Sequence, residues 1–188
     1  KLNEQVLALW AEVLLALPNA KLRIAAVPPG RAQQRIISIL SAAGINLERL
    51  EFTPQLPYVE YLSAISQVDV ALDPFPYNGG TTSFDTLIMG VPFVTLAGNH
   101  SIAREGVSIL TNLGLTDLIA ATPTEYVEIV RQLANDPLRL ADLRRTLRER
   151  LEHSPLMDGA RFTRNLEALY RQMWQTWCDS QLRQGNTV

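Results

Sequence analysis

The sequence has one cysteine in 188 residues, Cys178, so no disulfide can close within it. A reducing compartment agrees with that, and a cytoplasmic location is the expectation. No apolar run approaches the ~20 residues a membrane-spanning helix needs. No signal-peptide pattern is present either, so no membrane partner is expected. Histidine is scarce, at two residues. No His/Cys cluster has metal-ligand spacing, no Asp-x-Asp motif occurs, and Asp69 and Asp73 are not spaced to form one, so no metal is expected. Neither sign of charge dominates: 17 Lys and Arg against 19 Asp and Glu give −2, with no electrostatic reason to expect nucleic acid. The common phosphate fingerprints, GxGxxG and the Gly-Lys-Ser/Thr of a P-loop, are missing. Internal repeats and low-complexity tracts are missing too.

What remains is a globular balance of 47% hydrophobic and 19% charged residues, with enough length for one domain and a full core. The chain opens at Lys1 with no methionine and enters a helical pattern at once, so a piece of a longer protein is expected.

The informative stretch is Asp73-Pro-Phe-Pro-Tyr-Asn-Gly-Gly-Thr-Thr-Ser-Phe-Asp85. An apolar run from Val68 to Leu72 leads into it and a helical pattern from Phe84 to Met89 leads out. Strand, glycine turn, helix is the layout of a phosphate site. Gly79 and Gly80 are expected to adopt backbone angles closed to other residues and to admit a ligand to the main chain. The N–H groups of the following helix then face an anion favoured by the helix dipole. Thr81 and Thr82 add hydroxyls at the helix entrance. Asp85, one turn on, repels phosphate but accepts from sugar hydroxyls, so a nucleotide carrying phosphate and ribose suits the set. The plainer alternative is a helix capped by Thr82 after an ordinary glycine turn.

In chain order, Leu2 to Leu17 carries a helical apolar stripe that Pro18-Asn19 ends. Short strands follow at Leu22–Val27, Leu50–Thr53, Val68–Leu72, Pro92–Leu96 and Leu118–Ala120, separated by single helices at Gln33–Ala43, Val59–Ile65, the segment after the turn, and Ile102–Asn112. This alternation predicts an α/β fold, a Rossmann-like parallel sheet with helices on both faces. Ligands sit beyond the C-terminal strand ends of such sheets, where the glycine turn lies. Domain boundaries are expected at residues 1–122 for the lobe, 123–178 for C-terminal helices and 179–188 for a tail. The arginines of Leu138–Leu151 interleave with Asp142, Glu149 and Glu152, which reads as an ion-paired face rather than a nucleic-acid surface. The Phe162 to Trp177 stripe reads as core or interdomain packing.

Asp73-Pro-Phe-Pro-Tyr-Asn-Gly-Gly-Thr-Thr, followed by Met89-Gly-Val-Pro-Phe-Val-Thr-Leu-Ala-Gly98, resembles the catalytic region of the protein O-GlcNAc transferase and SPINDLY family. Leu113-Gly-Leu, Leu133-Ala-Asn-Asp136, Ser154-Pro-Leu and Met173-Trp follow in the family's order, so the likeness runs from Lys1 to about Cys178. It implies the C-terminal lobe of a two-lobed GT-B glycosyltransferase, with tetratricopeptide repeats and an N-terminal lobe elsewhere in the same protein. It also implies C-terminal helices that pack toward that other lobe.

The activity implied is inverting transfer of a sugar to Ser or Thr of an acceptor protein. The donor is a nucleotide sugar, UDP-GlcNAc first and GDP-fucose, the SPINDLY donor, second; a nucleotide-binding module without transfer activity and a scaffolding lobe are the other readings. Matched residue by residue, Thr81 and Thr82 bind the donor diphosphate and Asp85 accepts from the ribose. Lys1, nine residues before Trp10, has the spacing of the family's phosphate-binding lysine. Arg104 matches a loop arginine, to face phosphate or to pair locally. Gly80 stands where animal enzymes have histidine. Tyr58, Tyr61 and Ala64 stand where those enzymes have a base-binding lysine, histidine and arginine, so the base pocket differs. No residue here has the placement of a catalytic base, which is expected on the N-terminal lobe or on the donor itself. No cofactor is implied.

Overall fold

The computed structural model describes residues 2–185, with side chains through residue 181. The chain divides into two compact units, one up to Leu151 and one from Glu152 on.

The first unit begins with α1 (Glu4–Ala16), β1 (Leu22–Ala25), α2 (Arg31–Ala42), β2 (Leu50–Thr53), α3 (Tyr58–Ser66) and β3 (Ala71–Leu72). It continues with α4 (Thr81–Ile88), β4 (Phe93–Leu96), α5 (Glu105–Asn112), β5 (Ile119–Ala120), α6 (Pro123–Ala134) and α7 (Pro137–Glu152). Every expected strand forms, and all pairings are parallel. Hydrogen bonding sorts them into a β1–β2 pair and a β3–β4–β5 set, where one continuous sheet was expected. The expected strand at Val68 shrinks to two residues, since Val68 closes the end of α3 by donating to Ile65.

Local sequence sets the helix ends. Asn3 caps α1 through Oδ1 on the Val6 amide, 2.8 Å, and Thr122 caps α6 on the Glu125 amide ahead of Pro123, the residue type best suited to a first helical position. Arg49 donates to the carbonyls of Leu14, Leu17 and Ala20, so a cation meets the negative end of α1. Gly90 ends α4 at φ +74°, and a Cβ there would lie 2.5 Å from the Arg144 carbonyl oxygen. Only glycine satisfies both demands.

The core lies between the strands and α1, α5 and α6, with Val6, Leu7, Phe93, Val94, Leu110 and Tyr126 fully enclosed. The unit runs past residue 122 because α6 and α7 bury apolar side chains of their own, Val130, Leu133, Leu143, Leu147 and Leu151. Arg144 donates to Ser66 and Val68 at 2.7 and 2.8 Å, and Arg139 and Arg145 pair with Asp117 and Asp142. These arginines therefore serve the ion-paired role.

In the second unit, α8 (Gly159–Gly185) is one helix. It continues through Gln181 to Gly185, across the expected tail, because Asp179-Ser-Gln-Leu-Arg-Gln contains no breaker. Trp174 and Trp177 stack at 5.1 Å between ring centroids. The apolar stripe of α8 is exposed and forms no core of its own unit.

Candidate functional site

The turn before α4 is fixed from several directions. Asp73 leaves β3 with its amide donating to Val94, 3.0 Å, and its carboxylate buried. Oδ1 accepts from the Gly79 amide and Oδ2 from the Thr95 hydroxyl, each at 2.7 Å. Asn78, fully buried, donates from its side chain to Pro74, 3.0 Å, and from its backbone to Ile102, 3.2 Å. Asn3 donates from Nδ2 to Phe75 at 3.1 Å, which ties the start of α1 to the same loop.

The glycines act by size. Neither Gly79 nor Gly80 has a positive φ, and Gly80 sits at φ −106°, ψ −94°. What each lacks is room: a Cβ on Gly79 would lie 2.4 Å from Ser83 Oγ, and one on Gly80 would lie 3.0 Å from Glu105 Oε2. Glu105, the first residue of α5, therefore places its carboxylate in the space a side chain at position 80 would take.

α4 starts at Thr81 with Gly80 as N-cap, so Thr82 lies inside the helix and the capping alternative falls. The helix's first bonds run from Ser83 and Phe84 to the Gly80 carbonyl. A glycine cap has no side chain for the amides ahead of them. Thr81 and Thr82 are exposed beside those amides. That end of the helix favours an anion through both its N–H groups and its dipole.

The opposite wall is α3, which packs against α4. Tyr58 donates from its hydroxyl to Asp85 Oδ1 at 3.2 Å. The Tyr61 phenol is pushed up to about 12 by partial burial first, then by the nearby Asp85 carboxylate. The Tyr58 phenol is raised as well, chiefly by the Asp85 charge. The two rings stand 6.3 Å apart, tilted by 34°. Asp85 is itself buried, so its carboxylate is held between α4 and the tyrosines.

Gly79, Gly80, Thr81, Thr82 and Asp85 thus follow one another along the turn after β3 and the start of α4, with Tyr58 and Tyr61 of α3 beside Asp85. Arg104 is exposed and donates to the Gly98 carbonyl of its own loop at 3.1 Å. Lys1 lies outside the described residues. Asp73, Thr95 and Glu105 escaped the sequence reading as site residues. An acid at a strand end before a glycine turn was the available signal for Asp73; Thr95 and Glu105 have only tertiary signals.

The family model described as Glycosyl transferase family 41 matches residues 1–166. The chain belongs to glycosyl transferase family 41. It is 43% identical over 182 residues to a Petunia hybrida protein named "Probable UDP-N-acetylglucosamine--peptide N-acetylglucosaminyltransferase SPINDLY", covering 95% of this chain and 20% of that one. It is 30% identical over 182 residues to the Arabidopsis thaliana protein of the same name ending in SEC, covering 96% of this chain and 18% of that one. Among solved structures, a mutant of the Thermobaculum terrenum O-GlcNAc transferase superposes with a TM-score of 0.85 at 41% identity, over 94% of this chain and 34% of that one. The family 41 fold is thereby the mixed α/β lobe expected, the C-terminal lobe of a GT-B enzyme. The chain spans about a fifth of the length of the curated relatives it matches.

Proposed function

We propose that this chain is the donor-binding lobe of an inverting protein O-glycosyltransferase, which moves GlcNAc from UDP-GlcNAc to Ser or Thr hydroxyls of acceptor proteins. The observation that carries the reading is the glycine-capped start of α4, with Thr81 and Thr82 exposed beside it, on the same helix as the Asp85 carboxylate that Tyr58 bonds. Such an arrangement suits a diphosphate at one end and a ribose and base at the other. Membership of family 41 supports the reaction class.

In this mechanism the donor's glycosidic bond breaks with both electrons passing to the nucleoside diphosphate. The β-phosphate gains negative charge as the acceptor hydroxyl attacks and gives up its proton. The amides and hydroxyls of Thr81 and Thr82 meet that charge where it develops, preorganised by the turn behind them. Lys1, matched by its spacing before Trp10 to the family's phosphate-binding lysine, is the cation assigned to that charge. Helix end and lysine take the part a metal plays elsewhere. Asp85 accepts from ribose hydroxyls, in exchange for the Tyr58 hydroxyl. The base that takes the acceptor's proton belongs to the other lobe or to the donor, and acceptor contacts to that lobe and to tetratricopeptide repeats.

A second donor, GDP-fucose, follows from the SPINDLY resemblance alone, since the SPINDLY and SEC relatives, 43% and 30% identical, are both named for UDP-N-acetylglucosamine. Mass spectrometry of acceptor protein incubated with the intact parent and each nucleotide sugar tests both. A HexNAc adduct from UDP-GlcNAc is expected. A deoxyhexose adduct from GDP-fucose alone replaces that donor, and no adduct from either rejects transfer.

A further inference from the structure

We propose that Asp73 is the positioning residue of the donor site: its buried carboxylate sets the Gly79–Thr82 turn for a diphosphate without touching the ligand. The proposal rests on the donor-site reading above.

Asp73 is 4% exposed, whereas Thr81 and Thr82 are open to solvent. Its two oxygens face different elements. Oδ1 holds the Gly79 amide and Oδ2 the Thr95 hydroxyl of β4, each at 2.7 Å. The backbone of Asp73 is held as well, by its amide on Val94 at 3.0 Å and by the Tyr126 hydroxyl on its carbonyl at 3.4 Å. The carboxylate is therefore a fixed strut from the strand ends to the Asn78–Gly79 peptide, two residues before α4 begins.

The surrounding residues keep its space clear. A Cβ on Gly106 would lie 2.6 Å from Asp73 Oδ2 and 2.4 Å from Thr95 Oγ1, and one on Gly79 would lie 3.3 Å from Asp73 Oδ1.

What the strut needs from residue 73 is an oxygen that faces the Gly79 amide and a polar partner for the Thr95 hydroxyl. Asparagine can offer its carbonyl oxygen to Gly79 and its NH₂ to the Thr95 hydroxyl, which accepts as readily as it donates. Leucine, similar in size, offers neither.

The test measures calorimetric affinity of the intact protein for UDP and GDP, and for uridine and guanosine by ligand-observed NMR. Asp73→Leu is expected to weaken the diphosphates by about tenfold or more, because the charge-assisted bond is lost and the turn shifts. Both nucleosides should stay within about twofold of wild type, since Tyr58 and Tyr61 stand on α3 and Asp85 lies a full turn beyond the residues the strut holds. Asp73→Asn should restore diphosphate affinity to within about threefold, with both bonds reformed. Thr95→Val keeps the Gly79 bond but strips Oδ2, and an intermediate loss of about threefold is expected; it decides the matter if the leucine variant fails to fold.

Diphosphate affinity unchanged in Asp73→Leu or Thr95→Val overturns the role, as does an equal loss of diphosphate and nucleoside binding. Thr82→Ala separates the two readings. If it leaves diphosphate affinity intact, the donor-site reading fails and the Asp73 role with it. If it weakens the diphosphates while Asp73→Leu does not, the Asp73 role alone fails.

Discussion

On the turn side of the site Asp73, Asn78 and Ser83 are buried, and the bonds of Asp73 and Asn78 reach backbone or a neighbouring strand. On the α3 side Tyr58 is 62% exposed, and it and Tyr61 both lean on one carboxylate, Asp85. The first wall is set by many short bonds with no spare room. The second is two phenols on a helix surface, free to exchange one partner for another. A diphosphate is common to every nucleotide sugar, so a rigid wall can serve it. The base and sugar vary between donors, and the adjustable wall is where discrimination belongs.

The largest effect should come from filling the rigid wall. Gly106→Ala drives a methyl into Asp73 and Thr95, and overpacking of this kind costs roughly 1–3 kcal/mol. Urea unfolding of the variant should show a correspondingly lower midpoint. A loss of that size from a single methyl would sharpen the contrast, and a neutral result would break it. Next comes Thr82→Ala, which removes one hydroxyl from the anion end of α4. It should cost about tenfold in UDP or GDP affinity, about 1.4 kcal/mol, with little change in stability.

The third effect is alkaline and belongs to the tyrosine wall. Tyr61 is raised from 10.0 to about 12, so the folded chain keeps a proton that the unfolded chain has lost. Stability from this group is complete below pH 10 and falls as pH rises from 10 toward 12. Absorbance at the phenolate band should lose a step near 12 in Tyr61→Phe, and Asp85→Asn should move that step to lower pH. The smallest effect is Tyr58→Phe. Its bond is at an exposed residue, and thermal unfolding should shift by less than about 0.5 kcal/mol in free energy.

Much of this was legible in the sequence, for physical reasons. The strands are short apolar runs bounded by Pro and Gly, and the α4 helix follows its turn directly, so period and punctuation placed both. The residues Thr81, Thr82 and Asp85 share one face of one helix, a relation set by helical spacing alone. The rest depends on contacts between distant parts of the chain. Gly80 lies against the Glu105 carboxylate of α5, and no local pattern encodes that. Asp73 before Pro74 looks like an ordinary turn acid until Thr95, 22 positions on, is seen against it. β3 is short because the end of α3 takes Val68 first. Arg144 looked like surface charge, yet it closes α3 from α7.

The most direct test is hydrogen–deuterium exchange on the intact protein, saturated with UDP or with GDP and compared with the empty state. The account predicts that nucleotide slows exchange in two peptides together, residues 73–88 and residues 58–66, with UDP the stronger of the two. Nucleotide bound by calorimetry while both peptides exchange as fast as before would contradict it.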